Sequence, residues 1–367
     1  MCKICFKNLA VDDPQLKAEL LAAVDKVLSH GMLILGEEVD ELESALANYC
    51  QRKYAVGVGS GSDALLLALR ALDIGPGDEV ITTPLTWVAT TNAVVLTGAN
   101  PVFADVADDL NIDPEKIEPL ITGKTKAILP VNFTGNMCQM DRLAAITEKH
   151  RVHLIEDAAQ SFGSRYHDQP SGSFGVQSCF SINPMKNLSS YGEAGAVLTD
   201  DKALAEKLRS LRYAGTINKE DCHYASINGR IDTLQAAMIL VNLQHLPAKM
   251  QQVREVAELY NEKLAGIDEV LCPAEPPKTL HSYYSYTVQV PRRDALQTHL
   301  TEAGIEVKIQ HPILMPQHTA YRGRFAADIP NAERLVARIL CLPCHEKMSQ
   351  ENVVQVCEKV KEFYARS

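Results

Sequence analysis

Short apolar segments alternate with helical segments through the first half of this chain. Three segments rich in β-branched residues, at 101–105, 127–131 and 152–156, recur at intervals of roughly 25 residues. Each interval is long enough for one helix to cross back over the sheet, and parallel strands need such a connection. The spacing therefore predicts an α/β fold of three layers, in which a mostly parallel sheet is covered by helices on both faces.

The pattern changes near Pro247, and we predict a domain boundary there. Residues 231–264 have helical periodicity, and Pro247 is expected to break or kink that helix. The elements predicted beyond it are strands at 284–290 and 307–309 and helices at 295–303 and 353–364. We therefore assign residues 1–245 to a large α/β domain with an N-terminal helical segment, and residues 246–367 to a small α+β domain.

Composition and charge exclude several classes of protein. Of 367 residues, 46% are hydrophobic and 22% are charged, as in an ordinary globular protein. No apolar run approaches the roughly 20 residues of a membrane span, and the N-terminus lacks the apolar core of a signal peptide. The net charge of −10 is spread without a basic tract, so we expect no membrane and no nucleic acid partner. These features predict a cytoplasmic protein.

Two C-x-x-C pairs occur among the ten cysteines: Cys2 with Cys5, and Cys341 with Cys344, which His345 follows. The two pairs together could bind zinc, and the second matches the pattern for haem attachment. Zinc would require both pairs to meet at one point, and haem attachment would require export, for which no signal is present. We expect no metal site. Residues 339–343 are interpreted as a buried strand whose cysteine acts as a small hydrophobic residue.

A predicted strand that ends in an acid precedes a lysine in a loop bounded by glycines. Asp157 directly follows the apolar segment 152–156, and Lys186 precedes Gly192 and Gly195. An enzyme that holds pyridoxal phosphate needs such a pair, because the lysine forms the Schiff base and the acid pairs with the pyridinium nitrogen. Each residue also has an ordinary alternative: Asp157 could cap a helix, and Lys186 could lie on the surface.

Two further segments are candidates for holding such a cofactor. The glycine-rich turn at 57–62 follows a predicted strand and opens a predicted helix, so its N–H groups could bind a phosphate. A plain tight turn is the alternative, and a dinucleotide site is disfavoured because Ser62 replaces the third glycine of G-x-G-x-x-G. Trp87, the only tryptophan, follows the predicted strand at 79–82 and could stack on a planar ring or pack in the core.

The order and wording of these segments resemble the sugar aminotransferases of the DegT/DnrJ/StrS family, which are fold-type I enzymes dependent on pyridoxal phosphate. The resemblance extends from Gly36 to the closing helix, and its most specific segments are 59–65, 75–80, 156–160 and 228–232. It implies a fold-type I α/β domain with a smaller C-terminal domain and a pyridoxal 5'-phosphate cofactor. It also implies a homodimer whose active sites are shared between subunits.

The resemblance implies roles for individual residues as well. The catalytic pair would be Lys186, bonded to the cofactor, and Asp157, at its pyridine nitrogen. The residues implied to bind the cofactor are Gly61, Ser62 and Ser181 at the phosphate, Trp87 stacked on the ring, Gln160 at the 3-oxygen, Asp157, Lys186, and Asn228 from the neighbouring subunit. The residues expected to contact the substrate are Arg230, Tyr191 and His311.

The amino-acid sequence on either side of Lys186 indicates which class of sugar the enzyme uses. Many members that aminate C4 have Gly-Glu-Gly-Gly after the lysine, whereas residues 192–195 are Gly-Glu-Ala-Gly, as in members acting on 3-keto sugars. The segment before the lysine, Ser-Ile-Asn at 181–183, also departs from the common Ser-Phe-His. We therefore expect L-glutamate to donate an amino group to a nucleotide-linked 3-keto sugar, such as UDP-2-acetamido-3-keto-glucose or its uronic acid. A C4 aminotransferase and a non-catalytic regulatory protein are the alternatives.

Other readings of this fold are disfavoured by particular residues. A dehydratase relative would carry histidine in place of Lys186, and a nicotinamide oxidoreductase would need an acid after the strand at 79–82. Several polar and aromatic residues in the second half of the chain could contact substrate or could belong to the surface or core. They are His223, Tyr224, His281, Tyr283, Gln310, His311 and His318.

Overall fold

Helices and strands alternate along the first half of the chain, as the sequence predicts. The structure is a computed structural model that describes residues 4–218 and 220–365. Its α-helices are α1 (Pro14–His30), α2 (Glu37–Tyr49), α3 (Gly61–Ala71), α4 (Val88–Thr97), α5 (Met140–His150), α6 (Lys202–Leu211), α7 (Thr233–Leu264), α8 (Arg293–Glu302), α9 (Pro330–Val336) and α10 (Gln350–Ala365). Its strands are β1 (Tyr54–Val58), β2 (Glu79–Thr82), β3 (Asn100–Phe103), β4 (Thr125–Leu129), β5 (His153–Asp157), β6 (Arg165–Tyr166), β7 (Gln169–Pro170), β8 (Gln177–Ser181), β9 (Gly195–Thr199), β10 (Thr216–Ile217), β11 (Asp221–Cys222), β12 (Thr279–Leu280), β13 (Tyr286–Gln289) and β14 (Ile339–Leu342).

Seven of these strands form one sheet in the order β1-β9-β8-β5-β4-β2-β3. Strand β9 runs antiparallel to both of its neighbours, and the other adjacent pairs are parallel. Because two antiparallel pairings in succession restore the direction, β1 points the same way as β8 and β5. The carboxyl ends of β1, β2, β4, β5 and β8 therefore meet at one edge of the sheet, where ligands of α/β proteins bind.

Side chains alternate between the two faces of this sheet, and helices cover both faces. On β1, Val56 and Val58 pack with α3, α4 and α6, whereas Ala55 packs with α2 and α7. On β9, Val197 belongs to the first of these clusters and Leu198 to the second. A strand that is buried on both faces needs apolar residues at successive positions, which explains the continuous apolar runs in the sequence. The predicted three-layer, mostly parallel α/β architecture is confirmed.

Helix α7 extends through the region of the predicted domain boundary. Pro247 lies inside this helix and does not end it, so the expected break is wrong. Packing on both sides of the proline outweighs the lost hydrogen bond: Leu246 belongs to a core beside the sheet, and Tyr260 belongs to the C-terminal core. The domain limits 1–245 and 246–367 stay a prediction.

The C-terminal core combines strands and helices, as an α+β unit does. Strand β13 pairs antiparallel with β14, and α8, α10 and the end of α7 pack against them. Ile4, near the other end of the chain, belongs to the same core. Residues 307–309 were expected to form a strand, but only Lys308 pairs, as an isolated bridge to Cys341. The chain turns away at His311, whose φ is 54°, so the strand prediction is wrong.

The cysteine pairs have different positions. Cys341 lies buried on β14 and Cys344 is buried just after it, so the interpretation of 339–343 as a buried strand is confirmed. Cys2 lies outside the described residues. Within residues 4–218 and 220–365, no group of three or more His, Cys, Asp or Glu side chains is placed to hold a metal ion.

None of the helices in residues 4–218 and 220–365 is both long and apolar enough to cross a membrane. The cytoplasmic location stays a prediction.

Candidate active site

The carboxyl edge of the sheet carries most of the predicted cofactor residues. Asp157 is the last residue of β5, and Ser181 is the last residue of β8. Strand β1 leads into α3, which begins at Gly61, and β2 leads to Trp87, the N-cap of α4. The common direction of these strands therefore brings together residues that lie far apart in the sequence.

Asp157 is buried, with 2% of its surface exposed. Its Oδ2 accepts a hydrogen bond from Thr90 Oγ1 at 2.9 Å, and its Oδ1 accepts one from the N–H of Ala159 at 3.2 Å. Burial raises the pKa of this carboxyl, and the two hydrogen bonds and the charge of Lys186 oppose the rise. No helix begins within residues 158–164, so the helix-cap alternative is wrong. A buried acid in this setting is stabilised in its ionised form by a cationic partner.

Lys186 lies in a turn in which its N–H donates to Asn183 O at 3.0 Å. Its Nζ lies 4.3 Å from the centroid of the Tyr284 ring. Burial lowers the pKa of Lys186 to about 8; the carboxylate of Asp157 opposes this fall, and the ammonium of Lys7 adds to it. Lys186 is only partly exposed, so the alternative of a solvent-exposed surface lysine is wrong. A lysine whose pKa is lowered by desolvation is more nucleophilic near neutral pH.

The N-terminus of α3 forms a cradle for an anion. Ser60 caps the helix, because its Oγ accepts a hydrogen bond from the N–H of Asp63 at 3.0 Å. Gly61 approaches β8 so closely that a methyl group on its α-carbon would lie 2.5 Å from Ser181 Cβ. The first-turn N–H groups of a helix lack intrahelical partners and suit a phosphate. The side chains of Ser62 and Ser181 border the same space.

Trp87 is 58% exposed, so the core-packing alternative is wrong. Its ring centroid lies 5.6 Å from that of His311, which in turn lies 5.7 Å from that of Phe133. The positive φ of His311 is uncommon for a residue with a side chain, and such strain clusters at functional sites. Burial lowers the pKa of His311 to about 4, and the positive charges of Lys186 and His318 add to the fall. A neutral imidazole therefore lies beside the indole of Trp87.

Two adjoining cavities meet at Lys186. The smaller has a volume of about 390 Å³ and contains the start of α3, Asp157 and Ser181. The larger has a volume of about 590 Å³ and is bordered by Lys7, Tyr284 and the segment 308–313. The residues that border both cavities are Thr86, Trp87, Gln160, Asn183 and Lys186. The shape suits a cofactor in the smaller cavity and a substrate in the larger one.

Gln160 is held in one orientation at this junction. Its Oε1 accepts hydrogen bonds from the N–H of Thr134 at 2.9 Å and from Gln310 Nε2 at 3.1 Å. Because a backbone N–H can only donate, the oxygen of the Gln160 amide is identified without ambiguity. Its Nε2 has no hydrogen-bond partner among the described residues, so it is available as a donor to a ligand.

Three predicted site residues lie outside both cavities of this chain. Asn228 is exposed, and the Arg230 guanidinium lies 4.4 Å from the centroid of the Tyr213 ring. Tyr191 is 38% exposed, and its O–H donates to Asn242 Oδ1 at 3.3 Å. A single chain therefore does not bring these three residues to the residues that surround Lys186.

Some of the other residues that could contact substrate border the larger cavity, and the rest lie elsewhere. Those that border the larger cavity are Gln310, His311 and His318. Those outside it are the buried pair His281 and Tyr283, with ring centroids 4.2 Å apart, and the exposed pair His223 and Tyr224.

Sequence reasoning missed Lys7, Thr90 and Tyr284. A signal existed for Thr90, because it follows Trp87 by three residues and so lies near it on the first turn of α4. No local signal indicated Lys7, since its position depends on the pairing of Ile4 with Ile305, on the far side of the sequence.

The chemistry of the site fits pyridoxal phosphate. Asp157 forms no ion pair with a described residue, and a protonated pyridine nitrogen would supply the missing cation. The start of α3 and its neighbouring hydroxyl groups suit the phosphate. Lys186 offers an amine of lowered pKa, and Gln160 Nε2 offers a donor for the 3-oxygen. Together with the three-layer sheet, this chemistry defines the class: the chain is a pyridoxal phosphate-dependent enzyme of fold type I.

Comparison with known proteins identifies the family within this class of enzymes. A family model described as the DegT/DnrJ/EryC1/StrS aminotransferase family matches residues 14–361. The chain belongs to this family. It is a pyridoxal phosphate-dependent sugar aminotransferase that acts on nucleotide sugars, so the resemblance stated from the sequence is confirmed.

Three curated relatives span nearly the whole chain. A pleiotropic regulatory protein of Geobacillus stearothermophilus is 39% identical and covers 97% of each chain. The dTDP-3-amino-3,4,6-trideoxy-alpha-D-glucose transaminase of Streptomyces venezuelae is 37% identical, over 99% of this chain and 97% of the relative. The UDP-N-acetyl-3-dehydro-alpha-D-glucosamine 3-aminotransferase of Acidithiobacillus ferrooxidans is 38% identical and covers 94% of each chain.

Solved structures agree in fold and cofactor. The crystal structure of Streptomyces venezuelae DesV is 37% identical, superposes with a TM-score of 0.97 and covers 100% of both chains. The structure of Bacillus subtilis NtdA, solved with the bound cofactor PMP, is 28% identical, with a TM-score of 0.90, over 98% of this chain and 86% of that one. The fold-type I prediction is confirmed, and the cofactor is pyridoxal phosphate.

Proposed function

We propose that this enzyme moves the amino group of L-glutamate to C3 of a nucleotide-linked 3-keto sugar, such as UDP-2-acetamido-3-keto-glucose or its uronic acid. The observation that carries the amino-transfer chemistry is the position of Lys186, at the junction of two cavities and near the buried Asp157. The presence of both residues disfavours a non-catalytic regulatory protein. Two relatives named for amino transfer to C3 support the 3-keto sugar, and one is named for dTDP and the other for UDP.

The sequence of the loop after Lys186 is only weak support for a 3-keto substrate. Ala194 is buried in the core beside α2 and α7, and it borders neither cavity. Gly195 lies against the loop between β1 and α3, where a methyl group on its α-carbon would lie 2.4 Å from Ser60 O. Any influence of Ala194 and Gly195 on the choice of substrate would therefore act through packing. The relatives named for amino transfer to C3 support that carbon more directly.

The proposed arrangement assigns each cofactor contact to a residue of this chain. Pyridoxal phosphate, when bound, supplies a ring that accepts the electron pair released from the Cα–H bond of the amino acid. Lys186 would hold the cofactor through Nζ, and Asp157 would keep a proton on the pyridine nitrogen. The remaining contacts would come from Gly61, Ser62 and Ser181 at the phosphate, Trp87 on the ring face and Gln160 at the 3-oxygen.

Lys186 Nζ would also move the proton at the reacting carbon. Because burial lowers the pKa of this amine to about 8, an appreciable fraction is uncharged near neutral pH and can accept the Cα proton of glutamate. The same amine would return a proton when the sugar is aminated. One lysine thus serves both halves of the reaction, which predicts ping-pong kinetics. His311, with its pKa lowered to about 4, would present a neutral imidazole to the substrate.

A homodimer with shared sites would explain the residues that lie outside the cavities. Asn228 is exposed and belongs to the segment that leads to Asp232, whose backbone bridges to Ile34. Met32, Leu33 and Ile34 are consecutive and each is at least 47% exposed. An exposed apolar run is typical of a surface that another chain covers. We propose that a second copy covers this run and contributes Asn228, and with it Arg230, to the cofactor and substrate of its neighbour.

The test of this proposal uses the absorbance of the bound cofactor and the identity of the product. L-Glutamate should bleach the yellow band of the purified enzyme, and the bleached enzyme should regain it with a nucleotide-linked 3-keto sugar. Nuclear magnetic resonance of the product should place the new amine at C3. Failure of glutamate to change the spectrum would refute the donor. Turnover with 4-keto-6-deoxy sugars alone would favour the C4 alternative.

A further inference from the structure

The N-terminal segment of the described chain lies against its C-terminal part. The N–H of Ile4 donates to Gly304 O at 3.1 Å, and the N–H of Glu306 donates to Ile4 O at 2.9 Å. Phe6 is buried, and its N–H donates to Glu306 Oε2 at 2.9 Å. These bonds place Phe6 and Lys7 in the wall of the larger cavity.

The ammonium group of Lys7 and the amine of Lys186 lie beside the same aromatic ring. Lys7 Nζ donates to the carbonyl oxygens of Tyr284 at 3.2 Å and Cys344 at 3.1 Å. An ammonium group has three donors, so one is left for a ligand. Lys7 Nζ lies 5.8 Å from the centroid of the Tyr284 ring, and Lys186 Nζ lies 4.3 Å from the same centroid. One aromatic ring therefore contacts both cations.

The wall of the larger cavity is basic. Lys7, Lys186 and Lys308 border it together with His311 and His318, and no Asp or Glu of the described part of the chain does so. None of the three lysines forms an ion pair with a described residue. Lys308 Nζ instead lies over the ring of Phe6, 4.7 Å from its centroid. Carboxylates act on these lysines only from outside the wall: Asp157 on Lys186 and Glu346 on Lys7.

The buried ammonium of Lys7 lacks a carboxylate within ion-pair distance among the described residues. Burial lowers the pKa of Lys7, because the loss of hydration of its ammonium is not fully offset by the groups around it. Two carbonyl dipoles stabilise the ammonium, but they carry no full negative charge. A carboxylate or phosphate oxygen can form a charge-assisted hydrogen bond with the remaining donor.

We infer that Lys7, with Lys308, binds an oxyanion of the substrate, a carboxylate or a phosphate, in the larger cavity. The inference rests on the proposed function, because the substrates proposed there supply the anion. Glutamate carries two carboxylates, a nucleotide sugar carries a diphosphate, and a uronic acid carries a further carboxylate. Lys7 would then be a substrate-binding residue, supplied by the N-terminal segment and held in place by the C-terminal core.

The experiment measures the binding of three probes to the cofactor-loaded enzyme by calorimetry. The probes are glutarate, UDP-N-acetylglucosamine and UDP-glucuronate. Lys7→Met should weaken the binding of at least one probe tenfold or more, whereas Lys7→Arg, which keeps the charge, should bind within threefold of the wild type. Lys17→Met is the matched control, because Lys17 is exposed on α1 and borders neither cavity.

The pattern of loss identifies the source of the oxyanion. Loss for glutarate alone assigns Lys7 to a carboxylate of the amino donor. Equal loss for both UDP sugars assigns it to the diphosphate, and loss for UDP-glucuronate alone assigns it to the C6 carboxylate of a uronic acid. Unchanged binding of all three probes overturns the inference.

Two further measurements keep the test decisive. If Lys7→Met does not fold, Lys308→Met replaces it at an exposed position: tenfold weaker binding of a probe supports the inference, and unchanged binding of all three refutes it. The proposed function fails separately. A wild-type enzyme that binds these probes with Lys7-dependent affinity, yet aminates no 3-keto sugar, would refute the proposed reaction and leave the anion site standing.

Discussion

Gln310 Nε2 donates a hydrogen bond to Gln160 Oε1 across 3.1 Å. This bond joins the segment after Lys308 to the loop after β5. Gln310 Oε1 in turn accepts a hydrogen bond from Ser285 Oγ at 2.9 Å, and the N–H of Thr134 binds the same oxygen of Gln160. Both amides in this chain of bonds therefore have one satisfied orientation, and Gln160 Nε2 is left available as a donor to a ligand.

Gln310→Glu should loosen this arrangement without a change in side-chain size. A carboxylate cannot donate to Gln160 Oε1, so the amide would lose one of its two donors and face a negative charge. We expect the dissociation constant of the cofactor to rise several-fold and turnover to fall about tenfold, the effect of one hydrogen bond. Gln169→Glu, at an exposed position on β7, controls for the added charge. Equal behaviour of the two variants would contradict the assigned role.

Thr90→Val should weaken the enzyme through Asp157. The change removes the donor to Asp157 Oδ2, so the pKa of that carboxyl rises further and the acid becomes a poorer partner for a pyridinium nitrogen. Turnover should fall about tenfold with little loss of stability. Thr91→Val is a close control, because Thr91 Oγ1 is buried without a partner among the described residues. That variant should be as active as the wild type; a similar loss in both would point to helix packing.

Lys186→Met should stabilise the cofactor-free protein at neutral pH. The folded-state pKa of about 8 lies below the ordinary 10.5, so between these values the unfolded chain binds more protons and wild-type stability rises with pH. We expect the variant to exceed the wild type by on the order of 2 kcal/mol in free energy of unfolding at pH 7. The difference should shrink toward pH 10.5.

Urea unfolding at the two pH values measures this difference. Lys17→Met controls for the loss of an exposed charge. A difference between wild type and Lys186→Met that does not depend on pH would show that packing, and not the ammonium, causes it. Lys186→Ala should retain the cofactor non-covalently and lose turnover, and full activity in that variant would refute the role of the lysine.

Gly61→Ala should prevent tight binding of the phosphate. The new methyl group would lie 2.5 Å from Ser181 Cβ, so either the start of α3 or the end of β8 must move. We expect the cofactor dissociation constant to rise about tenfold or more. At Gly123 a methyl group would meet nothing within 4 Å, so Gly123→Ala should bind the cofactor as the wild type does. Fluorescence titration of the cofactor-free proteins distinguishes the two outcomes.

Mixed dimers test whether sites are shared. Lys186→Ala and Asn228→Ala homodimers should each be nearly inactive. In a mixed dimer, one site would combine an intact Lys186 with an intact Asn228 from the other subunit. Random exchange of subunits should therefore restore about a quarter of wild-type activity. Absence of any recovery, in a sample shown to contain mixed dimers, would place both residues in sites built from one chain.

The local pattern of apolar residues was sufficient to predict the three-layer α/β fold. Apolar runs such as 127–131 are buried on both faces of the sheet, so their sequence alone indicates a parallel strand. The end of such a strand predicted where Asp157 emerges, and the resemblance to the family implied that Lys186 belongs to the same site. The helix break expected at Pro247 was wrong because long-range burial on both sides of the proline outweighed a local preference.

The sequence by itself determined the three-layer fold, because the period and apolar character of successive segments are local properties of the chain. The roles of Lys186 and Asp157 were implied by the family resemblance and stay a prediction. Tertiary structure alone decided that Lys7 enters the wall of the larger cavity, that Gln310 fixes Gln160, and that Asn228 borders neither cavity of its own chain. The first two relationships depend on pairings between residues some 150 to 300 positions apart. Such pairings leave no periodic signature in the chain, because their position is set by how the N-terminal segment and the C-terminal core pack together.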